Sequence, residues 1–199
     1  MTRLHLVIEP GRVGDLLQIF RTGVGVAVRV GCSVKDLLCG QFRLDDSYVD
    51  RRITTIFLDG KPVDAIGTAR IREGSTLALS AAMPGLAGAI LRRGGPMASL
   101  RANITCEDGG GEALERESVI TVKLFNLVAP ELAPGFLRRG VLLPAAEAEA
   151  FLHGRPPAFW GGCREILLDG KRVEAALLKG GCWAPHGDMV ELSVALREA

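Results

Sequence analysis

Residues 56 to 64 read Ile56-Phe-Leu-Asp-Gly-Lys-Pro-Val-Asp64, and residues 166 to 174 read Ile166-Leu-Leu-Asp-Gly-Lys-Arg-Val-Glu174. Six of the nine positions are identical. In each copy Asp-Gly stands between short apolar runs, which is the composition of a tight hairpin turn, because glycine takes a positive φ without steric cost. An internal repeat constrains architecture more strongly than any single local signal.

The flanks of the two copies agree in kind and order. Upstream of the first, Val24 to Val30 is an apolar, β-like run. Ser33-Val-Lys-Asp36 then opens a short helix with a capping-box-like start, ending at Gly40. Upstream of the second, Val141 to Leu143 is the strand, Pro144 takes the favoured first helical position, Ala145 to His153 is helix-forming and Gly154 closes it. Downstream, Glu73 to Ser80 corresponds to His186 to Ser193, each a turn followed by a closing strand. Each half also begins with an apolar strand, Leu4 to Ile8 and Ile120 to Leu127.

This order predicts an α+β fold of tandem duplicated β-grasp units, each a mixed sheet packed on one short helix. The expected boundaries are 1–84 for the first unit, 85–118 for a connector and 119–199 for the second unit. The helix has to lie on its sheet, because Leu37 and Leu38 in one copy, and Phe151 and Leu152 in the other, need an apolar surface to cover them.

Residues 26 to 88 resemble the small sulfur-carrier proteins of thiamine and molybdopterin biosynthesis, the ThiS and MoaD group, whose fold is ubiquitin-like. The resemblance rests on Leu37-Leu38, on Ile56 to Asp64, and on Arg72-Glu-Gly-Ser-Thr-Leu-Ala-Leu79 followed by Met83-Pro-Gly85. It implies a β-grasp fold and docking onto other proteins. Sulfur transfer in that family needs a free C-terminal Gly-Gly, whereas this chain ends Val194-Ala-Leu-Arg-Glu-Ala199. The nearest equivalent is Leu91-Arg-Arg-Gly-Gly95, which serves as such a terminus only after cleavage and reads more simply as a helix stop.

Composition narrows the function further. With 24 Lys and Arg against 23 Asp and Glu, the formal net charge is +1, so no basic field draws in nucleic acid or an acidic membrane. Aromatic residues make up only 5% of the chain, too few for base-stacking platforms. The stretch Gly74 to Leu91 carries no charge, yet its alternation, Pro84-Gly85 and small residues argue against a membrane span. Five cysteines without C-x-x-C spacing suggest reduced thiols and a cytoplasmic location.

No phosphate loop, nucleophile elbow or metalloprotease helix is present, and no cofactor is called for. His153, Cys163, Cys182 and His186 are zinc-compatible residue types, but their spacing is not a familiar one. Candidate partner-binding residues are Leu86, Ile90, Arg92, Arg93, Met97, Leu100 and Arg101, an apolar stripe edged by arginines on two short helical pieces, with Ile104 beyond. The Gly-rich Cys106 to Glu112 reads as a linker. The expected role is a non-catalytic interaction or assembly module, with a protein partner or self-association. The alternatives are a sulfur-carrier-like protein and a binder of a small molecule in the crevice between units.

Overall fold

The computed structural model describes residues 1–81, 85–97, 116–185 and 187–197. Leu100, Arg101, Ile104, the Cys106 to Glu112 segment and His186 lie outside the described residues. The strands are β1 (Thr2–Ile8), β2 (Val24–Val30), β3 (Thr55–Leu58), β4 (Lys61–Pro62), β5 (Thr76–Ser80), β6 (Arg116–Phe125), β7 (Val141–Pro144), β8 (Cys163–Leu168), β9 (Lys171–Arg172) and β10 (Met189–Leu196). The helices are α1 (Gln18–Thr22), α2 (Asp46–Arg51), α3 (Gly85–Leu91), α4 (Val128–Arg139), α5 (Ala145–His153), α6 (Pro157–Gly161) and α7 (Ala175–Gly180). The fold is a mixture of helices and mixed sheet: in place of the separate sheet expected in each unit, the ten described strands form one sheet, and the chain divides into two compact units.

One unit is contiguous, Val26–Ala129. Its strands lie in the order β4-β3-β5-β6-β2, with β5 parallel to β6 and antiparallel to β3. Alternation along the strands turns Ile56, Leu58, Leu77, Leu79, Val122 and Leu124 inward, and all six are buried. Leu37 and Leu38, on a π-helical turn over Asp36–Gln41, are also fully buried, each contributing about 1.5–3 kcal/mol of hydrophobic stabilisation. That turn starts on a reciprocal cap. Ser33 Oγ donates to Asp36 Oδ2 at 2.6 Å, and the Asp36 N–H donates back to Ser33 Oγ at 3.0 Å.

The other unit is split, Met1–Gly25 with Pro130–Ala199. Its order is β7-β10-β1-β8-β9, with β1 parallel to β10 and antiparallel to β8. Leu4, Leu6 and Ile8 of β1 are buried with Val190, Leu192 and Val194 of β10, and α5 contributes Ala145, Ala148 and Leu152. Arg155 fastens the segment after β1: its Nη1 donates to the Asp15 carbonyl at 2.6 Å, and its guanidinium lies 4.0 Å from the Phe151 ring centre. Phe20 of α1 packs on Phe136 of α4 with ring centres 6.1 Å apart.

The repeated hairpins behave alike in detail. Asp59 and Asp169 both take positive φ, 51° and 49°, followed by Gly60 and Gly170 at 79° and 78°. Asp59 donates its N–H to the Thr76 carbonyl at 2.9 Å, and its Oδ1 accepts from the Thr76 N–H at 2.7 Å. Asp169 does the same to Arg3: N–H to the Arg3 carbonyl at 2.8 Å, and Oδ1 from the Arg3 N–H at 2.8 Å. Each turn therefore clamps its hairpin to the next strand. By this clamp, β1 holds in the split unit the place that β5 holds in the contiguous one, and β10 holds the place of β6.

Two expectations change accordingly. The boundaries 1–84, 85–118 and 119–199 differ from those of the compact units, Val26–Ala129 and Met1–Gly25 with Pro130–Ala199: Thr2–Ile8 pairs with β8 and β10, and Arg116–Phe125 pairs with β5. The strand matching Thr76–Ser80 in place is β1, not the one after residue 186. A strand's own alternation specifies which face is buried but not which distant sheet receives it, and here the Asp169 clamp on Arg3 selects β1. Helix α4 was unforeseen because it contains Pro130 and Pro134; the first sits in the opening turn, where a missing N–H costs little, and the second is inside the helix.

Two outcomes are expected. Asp59→Ala and Asp169→Ala each lose about 1–3 kcal/mol in denaturant unfolding, while the Asn variants, which keep an acceptor and tolerate positive φ, lose less. The Ser33 hydrogen bonds hold the Asp36 carboxyl below its ordinary pKa. Because the folded value lies below the unfolded one, this stabilisation is complete above about pH 4 and disappears as pH falls through the folded value. Asp36→Asn therefore destabilises at neutral pH, and its gap to wild type narrows below about pH 4 when unfolding midpoints are followed against pH.

Candidate functional site

Of the residues expected to bind a partner, Leu86, Ile90, Arg92, Arg93 and Met97 are described, and all lie on a segment belonging to the contiguous unit. The segment begins with α3 and is fixed by Arg93. The Arg93 N–H donates to the Thr54 carbonyl at 2.7 Å, and its Nη2 donates to the Val49 carbonyl at 3.0 Å and to Asp50 Oδ1 at 3.1 Å. With its side chain only 12% exposed, Arg93 is an anchor and not an outward-facing cation. Leu86 and Met97 are 67% and 38% exposed, and Arg92 is exposed as well. The sequence pattern thus named two kinds of residue together: the anchor, and the surface that it holds.

The Gly94-Gly95 pair is folded into the same anchor. Gly94, at φ 60°, donates to Asp64 Oδ1 at 3.2 Å, and Gly95 donates to the Arg92 carbonyl at 3.1 Å. An ideal Cβ on Gly95 would stand 3.1 Å from that carbonyl oxygen. These glycines serve a turn here.

A second constellation was not foreseen. On the split unit, β1, β8 and β10 turn polar side chains to the face opposite the buried one. Arg3 stands beside Glu191, and His5 stands between Leu167 and Ser193. They line, with Asp169, an open concavity of about 660 Å³. Ser193 Oγ lies 2.8 Å from His5 Nδ1, and Arg3 Nε lies 3.4 Å from Glu191 Oε2. The alternation of β1 and β10 signals that these residues face outward, but their meeting depends on a parallel pairing between the two extremes of the sequence.

Cys32, Cys39 and Cys163 are poorly suited to nucleophilic chemistry. Burial pushes the Cys163 thiol up to about 11. Burial also raises Cys39, helped by its hydrogen bond to Asp46 at 3.4 Å. Cys32 is buried, with its thiol donating to the Arg29 carbonyl at 3.2 Å. Among the described residues, no three His, Cys, Asp or Glu side chains gather to hold a metal ion. His153 donates its Nδ1 proton to the Lys179 carbonyl at 2.6 Å. Among those residues, no helix is long and apolar enough to cross a membrane.

No family model, curated protein or solved structure matches this chain.

Thiol alkylation at pH 8, read by peptide mass spectrometry, is expected to label the exposed Cys182 before Cys39 and Cys163, with Cys32 last. Labelling of Cys163 ahead of Cys182 would contradict the assignment of Cys163 as a protonated, half-buried thiol.

Proposed function

We propose that this chain is an interaction or assembly module without chemistry of its own, built from two β-grasp-like units, and that the Gly85–Met97 segment is the face it offers to a partner. The observation that carries this reading is Arg93. Its hydrogen bonds to Thr54, Val49 and Asp50 fix a short segment on which Leu86 and Met97 stay exposed. Holding apolar side chains in water has no folding benefit, and a rigid anchor lowers the entropy lost when a partner covers them.

The β-grasp part of the reading is supported by the parallel pair in each unit, by the helical segment between the strand and the hairpin, and by the matched clamps of Asp59 and Asp169. In the split unit, β1 and β10 occupy one another's places relative to a simple tandem repeat. A duplication accounts for the likeness, while an exchange of opening strands alone would leave β10 in the closing place, so the order of β10 and β1 is a further departure from a tandem repeat.

The first partner to test is a second copy of the chain. Light scattering of the wild type is expected to report an oligomer. Leu86→Asp combined with Met97→Asp is expected to return it to single chains, weakening association at least about tenfold by burying carboxylates in an apolar contact. A wild-type chain that is already monomeric, or a double variant that associates as before, rules out self-assembly through this face.

A further inference from the structure

We infer that the concavity on the split unit is a binding site for a small aliphatic zwitterion, such as a free amino acid. The two units provide an internal comparison, since their Asp-Gly clamps align β1 with β5 and β10 with β6. Where the split unit has Arg3, His5, Glu191 and Ser193, the contiguous unit has Thr76, Ala78, Thr121 and Lys123. The same sheet position folds without an imidazole, without a hydroxyl beside it and without a paired guanidinium. The polar set is therefore not a requirement of the fold.

The charges select the ligand class. Arg3 Nε stands 3.4 Å from Glu191 Oε2, on a side chain that is 74% exposed and so open to a further partner. His5 uses Nδ1 for Ser193, leaving Nε2. Arg3 presents N–H groups suited to a carboxylate, and His5 adds one in the tautomer that accepts the Ser193 hydroxyl at Nδ1 and carries its proton on Nε2. Asp169 spends Oδ1 on the Arg3 N–H, leaving Oδ2 as an acceptor for an ammonium group. The lining carries the Arg3 guanidinium and the Met1 ammonium, which stands 3.0 Å from Asp188 Oδ2, against the carboxylates of Asp169 and Glu191, so its own charges balance when His5 is neutral and favour neither a polyanion nor a simple cation. A ligand carrying both charges satisfies both ends, and half-buried Leu167 beside His5 offers an apolar floor for its side chain. The volume, about 660 Å³, falls within the usual range for small-molecule sites.

The test uses the full chain and the imidazole resonances of His5 in NMR titrations with L-alanine, L-valine and L-leucine. At least one is expected to shift His5 saturably at concentrations up to about 10 mM. For that ligand, the N-acetyl form, which lacks the ammonium group, and the carboxamide, which lacks the carboxylate, are each expected to bind at least about tenfold more weakly. Arg3→Gln, an exposed substitution that leaves the clamping backbone in place, is expected to weaken binding similarly. The inference is overturned if none of the three shifts His5, if the blocked forms bind as well as the parent, or if Arg3→Gln leaves affinity unchanged.

Discussion

One short side chain determines how each repeated hairpin joins the rest of the sheet. An aspartate in the left-handed turn of a hairpin presents its own N–H and its carboxylate to the same residue of the adjacent strand, so a single residue makes two bonds of a ladder. A slip of one position would break both bonds and turn every side chain of that strand to the opposite face. The clamp thereby decides that Leu4, Leu6 and Ile8 are inside and that Arg3 and His5 are outside. The packing of the split unit and the chemistry of its outer face follow from the same two hydrogen bonds.

The local elements were legible in the sequence because their signals are local. Val24–Val30, Ala145–His153, the Ser33–Asp36 cap and the two Asp-Gly turns all emerge where propensity and capping chemistry put them. What could not be read was the destination of the opening strands. Thr2–Ile8 and Arg116–Phe125 carry the same two-residue alternation, so each satisfies either unit as far as its own pattern goes, and only contacts across most of the chain distinguish the outcomes.

The same division applies to the sites. Arg93 was visible as part of a basic, apolar segment, but its role as an anchor depends on carbonyls at Val49 and Thr54, which no spacing rule links to it. His5 and Ser193 are unremarkable where they stand in the sequence, and they become neighbours only because β1 enters between β10 and β8. Sites made from strands distant in sequence are generally hidden in this way, since periodicity reports faces and never partners.

The central place of β1 also bears on the order in which the chain acquires its shape during translation. The contiguous unit has all its strands once residue 125 has left the ribosome, whereas β1, the earliest strand made, flanks two of the latest, β8 and β10. Domains generally fold as soon as their parts are present. The nascent chain thus carries an apolar strand without its neighbours until β8 and β10 have been made, long after the strands of the contiguous unit are complete.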